Sequence, residues 1–250
     1  MRRLPATLAL AVTAACLPAM AVTPAVRVQT SRGPFDLVVY RPQAPDPAKP
    51  LVLLVSGEGG WRKFDDQIAG FLRDAGYWVG GLDVMAYFWK AQDDRQVLGS
   101  DARAYASALA RAAGRPPEAP VVLAGYSFGA DLAPWIAGAG GWGRRIAGIV
   151  MIGPDAMGSL EFRVSEILGM EAKDHVFKVA DALASVAGIP VLFLHGAKDG
   201  ESAAPALHEA ASRPKKIVIV PEAGHHFSGK EDLLRAALLE GLAWLNAPGS

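Results

Sequence analysis

The chain has 250 residues, with 25 basic and 25 acidic side chains and one cysteine. This balanced charge, without a basic tail or an arginine-rich run, excludes the usual electrostatic footprint of a nucleic-acid-binding protein, so we expect no nucleic-acid partner. A chain of this length can bury a hydrophobic core without disulfide or metal cross-links, and we expect a single domain.

The first 21 residues have the pattern of an export signal. Two arginines precede an apolar stretch from Leu4 to Leu17, and residues 19–21, Ala-Met-Ala, match the A-x-A cleavage pattern. The stretch is too short for a transmembrane anchor, which needs about 20 apolar residues. We therefore expect a periplasmic protein cleaved after Ala21, with lipoprotein processing at Cys16 as the alternative. Losing two of the 25 basic and none of the 25 acidic residues gives the mature chain, 22–250, a net charge of −2.

After the proline-rich stretch 41–50, short apolar runs alternate with segments of helical periodicity. The runs expected to form strands are 51–57, 77–83, 120–127, 146–153, 190–196 and 215–224, and the segments expected to form helices include 64–76, 100–114 and 230–245. Several runs are continuously apolar, which is typical of parallel strands covered on both faces. The alternation predicts a doubly wound α/β fold, with 26–30 and 35–40 pairing as an antiparallel edge.

One connection is much longer than the others, because residues 154–189 separate two of the predicted strands. Connections in α/β units usually have 2–6 residues. We expect a small cap insertion at about 154–188 over the strand ends, with a plain surface excursion as the alternative.

The segment GYSFGAD, residues 125–131, places a serine between two glycines directly after the apolar run PVVLA. At a strand-to-helix turn, G-x-S-x-G forms a nucleophile elbow, in which the serine lies at the tip of a sharp turn. The flanking glycines let the strand and the helix approach closely. The pattern therefore predicts that Ser127 is a nucleophile.

A serine nucleophile needs a base and an acid that orients the base. LFLHGAKDGES places Asp199 just beyond one predicted strand, and VPEAGHHFSG places a histidine pair after the next. Adjacent loop residues point apart, so only one histidine faces Ser127. We favour His225 as the base and Asp199 as the acid, with His226 and Glu201 as the alternatives. Neighbouring histidines rarely chelate one ion, so we expect no metal and no cofactor.

The oxyanion formed during acyl transfer needs backbone N–H donors. We expect one from Phe128, directly after the serine, and one from the loop SGEGGW, residues 56–61, whose glycines let the backbone turn inward. Glu58 or Gly59 is the expected second donor. No G-K-[ST] follows these glycines, which argues against a phosphate-binding loop.

Four segments, SGEGGW, GLDVMAYFW, GYSFGADLAPW and GHHFSG, resemble the VirJ/AcvB family of exported bacterial α/β hydrolases. The resemblance runs from about residue 50 to the C-terminus. It implies an α/β-hydrolase fold with a mostly parallel central sheet and helices on both faces, a nucleophile at Ser127 and a base in the pair 225–226. Members are implicated in hydrolysing aminoacyl-phosphatidylglycerol in the periplasm, and some are associated with virulence and type IV secretion. The implied partners are an aminoacyl-lipid or other ester, peripheral contact with the inner membrane, and a secretion system.

An aminoacyl ester carries an α-ammonium group close to the scissile bond. Glu58 in the oxyanion loop, or Asp83 after the next strand, is expected to bind it, unless Glu58 only caps a helix or faces solvent. Trp61 and the aromatic residues 87–89 are expected at the pocket mouth against a lipid tail, unless they form core beneath the cap. The rival functions are a general periplasmic carboxylesterase and a non-catalytic interaction protein with an incidental triad.

Overall fold

The computed structural model describes residues 23–162 and 174–247. The expected signal peptide, 1–21, and residues 163–173 of the expected cap lie outside this part of the chain. None of the described helices is long and apolar enough to span a bilayer.

Eight strands form one sheet in the order β1-β2-β4-β3-β5-β6-β9-β10, and two short strands pair separately. β1 pairs with β2, and β2 with β4, in antiparallel fashion, whereas the other neighbours in the large sheet are parallel. Each of the six predicted apolar runs contains one of these strands. The strands are β1 (Thr23–Thr30), β2 (Gly33–Tyr40), β3 (Leu51–Val55), β4 (Val79–Leu82), β5 (Val121–Tyr126), β6 (Ile146–Ile152), β7 (Met157–Ser159), β8 (Val176–Lys178), β9 (Val191–Gly196) and β10 (Lys215–Val220).

Successive residues of the buried strands point to opposite sides of the large sheet, which therefore has two apolar faces. Helices cover both of them. In β3, Leu51 and Leu53 belong to one hydrophobic core, together with α3 (Arg95–Ala112) and α4 (Phe128–Ala137). Val52 and Leu54 belong to a second, together with α1 (Lys63–Asp74) and α7 (Glu231–Leu245). The predicted α/β fold is therefore confirmed. The helices are α1 (Lys63–Asp74), α2 (Val84–Tyr87), α3 (Arg95–Ala112), α4 (Phe128–Ala137), α5 (Val179–Ala184), α6 (Ala204–Ala210) and α7 (Glu231–Leu245).

The described part of the long connection packs on one side of the sheet. β7 and β8 pair as a small antiparallel sheet. The ring of Phe177 in β8 packs at a tilt against that of Trp135 in α4, with ring centroids 4.4 Å apart. The backbone N–H of Phe162 donates to the carbonyl of Phe88 at 2.8 Å. This segment therefore rests on α4 and on the stretch that follows α2.

Candidate active site

Ser127 occupies a strained turn between β5 and α4. Its backbone has φ 50° and ψ −120°, a conformation that side chains other than glycine rarely adopt. An added Cβ at Gly125 would overlap the carbonyl of Gly129, and one at Gly129 would overlap the carbonyl of Val55. The two glycines of G-x-S-x-G thus allow β5, α4 and β3 to meet, and the turn has the geometry of a nucleophile elbow.

The structure brings Ser127, His225 and Asp199 into one hydrogen-bonded chain. The Nε2 atom of His225 lies 3.1 Å from the Oγ atom of Ser127, and its Nδ1 atom lies 3.0 Å from the Oδ2 atom of Asp199. The side chain of Asp199 is fully buried and that of His225 is 14% exposed. With Asp199 ionised, Nδ1 carries the proton that it donates, and Nε2 is free to accept the serine proton.

The acid is fixed by the loop in which it lies. The backbone N–H groups of Glu201 and Ser202 donate to the Oδ1 atom of Asp199 at 3.1 and 3.0 Å, while its Oδ2 atom faces His225. Both carboxylate oxygens are therefore engaged. Glu201, the alternative acid, supports Asp199 through its backbone, and its side chain lines the cleft beside the serine.

The second histidine has a different partner. The Nδ1 atom of His226 lies 2.6 Å from the hydroxyl oxygen of Tyr126, the residue directly before the nucleophile. Burial raises the pKa of the Tyr126 phenol, so that hydroxyl stays protonated. The ring of Tyr126 packs edge-on against Phe64 with centroids 4.7 Å apart. Tyr126 thus holds His226 beside the triad, a contact that the sequence analysis did not identify.

A buried aspartate shapes the predicted oxyanion loop. Asp65 of α1 accepts the backbone N–H of Gly57 at 3.2 Å through Oδ1 and that of Arg62 at 2.9 Å through Oδ2. Burial raises the pKa of Asp65 to about 6. Because the N–H of Gly60 also bonds within the loop, to the carbonyl of Gly57, the N–H groups of Glu58 and Gly59 are the candidates for the second oxyanion donor.

The first oxyanion donor is set by helix geometry. Phe128 is the first residue of α4. The N–H groups in the first turn of a helix have no partner within that helix. The Phe128 N–H therefore lies beside the serine at the positive end of the α4 dipole, as required for stabilising an oxyanion.

A cleft of about 560 Å³ opens at the serine. Its lining includes the acidic residues Glu58, Glu201 and Glu231 against two cationic residues, Arg62 and Lys63, besides the buried Asp65 that bonds to the loop backbone. Partial burial raises the pKa of the Glu58 carboxyl. The excess of carboxylates favours substrates that carry a positive charge.

Two side chains predicted to bind substrate lie outside that lining. Asp83 caps α2 by accepting the N–H of Ala86 at 3.1 Å. The indole N–H of Trp61 donates to Asp66 at 2.8 Å, and its ring covers Gly81 of β4. Asp83 therefore serves α2 and Trp61 packs against β4, and the structure does not bring either side chain to the nucleophile.

The aromatic residues 87–89, at the end of α2 and directly after it, divide between core and surface. Tyr87 and Phe88 are buried, as expected for residues beneath the long connection. Trp89 is 62% exposed and stacks on Phe162 with ring centroids 5.9 Å apart. Within residues 23–162 and 174–247, no group of three or more His, Cys, Asp or Glu side chains is arranged to hold a metal ion.

A sequence model of the bacterial virulence protein VirJ matches residues 49–245, most of the chain. The chain belongs to the VirJ family. This confirms the resemblance carried by the four segments named above. No curated protein sequence matches the chain at a significant level.

Solved structures similar to this VirJ-family chain share its α/β-hydrolase fold. An esterase domain from Rhodothermus marinus is 20% identical, with a TM-score of 0.60 over 89% of this chain and 97% of that one. An α/β serine hydrolase without lid from Xanthomonas campestris is 24% identical, with a TM-score of 0.60 over 91% and 97%. A dienelactone hydrolase from Anabaena variabilis is 19% identical, with a TM-score of 0.62 over 87% and 94%. At these identities the likeness supports the fold, and the chemistry is argued from the site.

Proposed function

We propose that this VirJ-family chain is a serine hydrolase that cleaves ester bonds by acyl transfer to water. The observation that carries the proposal is the continuous hydrogen-bonded chain from Ser127 through His225 to the buried Asp199, at the wall of an open cleft. Three side chains from three separate loops meet in the order and at the distances that nucleophilic catalysis needs.

In the first half of the reaction, His225 takes the proton of Ser127 as Oγ attacks the ester carbonyl. The N–H of Phe128 and one from the loop of residues 56–61 stabilise the oxyanion. The protonated His225, held in orientation by Asp199, then gives its proton to the departing alcohol. In the second half, His225 activates a water molecule, which releases the acyl group from Ser127.

For the substrate, we propose an aminoacyl ester of a lipid headgroup, aminoacyl-phosphatidylglycerol. Such an ester carries an ammonium group next to the reacting carbonyl, and the carboxylate of Glu58 stands in the loop that receives the oxyanion. The net excess of carboxylates in the cleft supports the same choice. The resemblance to the VirJ/AcvB family points to the same lipid, to the periplasm after signal cleavage, and to contact with the inner membrane or a secretion system.

The test uses the mature chain, residues 22–250, and its Ser127→Ala variant. Each is incubated with alanyl- and lysyl-phosphatidylglycerol in detergent micelles, and the free amino acid is measured. Release by the wild type alone is the expected result. No release, together with cleavage of p-nitrophenyl esters, would replace the lipid substrate with a general ester. Inactivity on both would favour a non-catalytic interaction protein.

A further inference from the structure

We propose that Asp131 is a positioning residue for the catalytic acid: through the loop of residues 153–155, it holds Asp199 in line with His225. This inference rests on the proposed hydrolase activity only for its kinetic test. Asp131 is the last residue of GYSFGAD, and it lies one helical turn after Ser127 on α4. The same helix would therefore carry the nucleophile at its start and support the acid from its first turn.

Asp131 is a carboxyl group in an otherwise apolar part of the molecule. It is 4% exposed, and its neighbours Ala130 and Leu132 are fully buried. Its Oδ1 atom accepts the backbone N–H of Asp155 at 2.8 Å. Burying a carboxyl group costs free energy that a single hydrogen bond only partly offsets, so the interaction is expected to serve more than packing.

The loop that Asp131 holds is joined to the acid loop by two hydrogen bonds. The carbonyl of Pro154 accepts the backbone N–H of Ala203 at 2.8 Å and the hydroxyl of Ser202 at 3.1 Å. Ser202 in turn donates its backbone N–H to Asp199 at 3.0 Å. A continuous path of hydrogen bonds therefore runs from α4 to the catalytic carboxylate.

The same loop packs directly on the triad. A Cβ added at Gly153 would lie 3.2 Å from the Cε1 atom of His225 and 3.5 Å from the Oδ2 atom of Asp199. A small shift of this loop therefore changes the alignment of base and acid together. Misplacement by about 1 Å can cost roughly 100-fold in rate.

The kinetic test compares Asp131→Ala with Asp131→Asn, using p-nitrophenyl esters at a temperature where both variants are folded. Burial raises the pKa of the Asp131 carboxyl well above its usual range, so an amide is a close mimic of the protonated group and keeps the acceptor for Asp155. We expect kcat to fall about 10- to 100-fold in Asp131→Ala with KM within about twofold, and to recover in Asp131→Asn.

Asp101→Ala is the matched control, because Asp101 is equally buried, 4% exposed, but accepts hydrogen bonds from Ser31 and Tyr87 away from the triad. It should lower the thermal unfolding midpoint and leave kcat of the folded enzyme unchanged. A comparable loss of kcat in Asp101→Ala, or unchanged kcat in Asp131→Ala, would overturn the proposal.

Ser202→Ala tests the same path of hydrogen bonds without substituting a buried carboxyl group. It removes the hydroxyl bond to Pro154 and the acceptor for the Ala204 N–H at 3.2 Å, both next to the acid loop, so it should lower kcat. Its effect should not add to that of Asp131→Ala because both act through one loop. Additive losses would contradict the shared path.

A crystal structure of Asp131→Ala, or of Ser202→Ala if the first does not fold, provides a readout independent of activity. We expect the distance between His225 Nδ1 and Asp199 Oδ2 to lengthen from 3.0 Å to beyond about 3.5 Å. An unchanged triad would refute the positioning role even if the wild type hydrolyses no ester.

Discussion

The carboxylate of Glu58 and its backbone amide have separable roles in the proposed reaction. The amide is a candidate oxyanion donor for any ester, whereas the carboxylate lines the cleft where a substrate ammonium would lie. The Glu58→Gln substitution changes only the side-chain carboxylate and keeps the backbone amide. Specificity for aminoacyl esters can therefore be tested at one side chain without removing a backbone donor.

Glu58→Gln should reduce kcat/KM for aminoacyl esters by about tenfold or more, because a hydrogen bond between two charged groups is worth roughly 1.5–3 kcal/mol. Activity on p-nitrophenyl esters without an ammonium group should change by less than about twofold. Glu209→Gln is a suitable control, since the Glu209 side chain is 85% exposed and lies on α6. Equal losses on both substrate types in Glu58→Gln would remove Glu58 from ammonium binding.

The sequence predicted the three residues of the triad arrangement but not their supports. Ser127 lies within a local motif, and chain order indicated the two loops that supply the acid and the base. Asp199 and His225 were favoured in those loops, with Glu201 and His226 as the alternatives. The roles of Tyr126, Asp65 and Asp131 depend on hydrogen bonds to residues elsewhere in the chain, and no local sequence pattern predicts those bonds. Trp61 and Asp83 were predicted to bind substrate because they lie in or near the oxyanion loop in the sequence. Proximity in sequence does not determine where a loop side chain points.

Among the elements, the elbow joining β5 to α4 has no room for a side chain at either of its two glycines. Gly129 lies where α4 passes over the end of β3, and an added Cβ would overlap backbone atoms that cannot rotate away. The long apolar runs were predicted as strands because several are continuously apolar, and the long helices were predicted because their apolar residues recur at helical spacing. The short elements α2, β7 and β8 were not, since three or four residues carry no period.

Gly129→Ala should lower the free energy of unfolding by at least about 2 kcal/mol, because overpacking against backbone forces the strand and helix apart. It should also reduce kcat by displacing Ser127. Gly70→Ala is the matched control: Gly70 lies within α1, nothing lies within 4 Å of an added Cβ, and alanine there should stabilise the helix by about 0.5–1 kcal/mol. Urea unfolding measures both, and a Gly129→Ala chain as stable as the wild type would contradict the packing argument.

At the scale of the whole molecule, the sheet separates two hydrophobic cores, and buried carboxyl groups link their stability to pH. Unfolded aspartates titrate near pH 3.9, whereas the pKa of folded Asp65 is about 6. Between about pH 4 and pH 6, Asp65 therefore binds more protons in the folded protein than in the unfolded chain. The contribution of Asp65 to stability is fully present below pH 4 and is lost as the pH rises through 6.

Asp65→Asn removes that titration. Between pH 4 and pH 6, the free energy of unfolding should fall less in the variant than in the wild type. The difference between the two falls should reach up to about 3 kcal/mol. The control is Asp74→Asn at the exposed end of α1, where the side chain is 52% exposed. Urea unfolding at several pH values gives the comparison, and parallel curves for wild type and Asp65→Asn would contradict the assignment.

The strand order of the sheet, β1-β2-β4-β3-β5-β6-β9-β10, depends on pairings between distant segments. The alternation of apolar runs and helical segments therefore predicted the class of fold but not this order. In that order, the acid and the base follow β9 and β10, and β9 joins the sheet beside β6. Asp199 and His225 lie in the last quarter of the chain, so a chain made from its N-terminus contains Ser127 before it contains the acid and the base. The triad assembles only after β9 and β10 have joined the sheet, and until then the serine has no group to activate it.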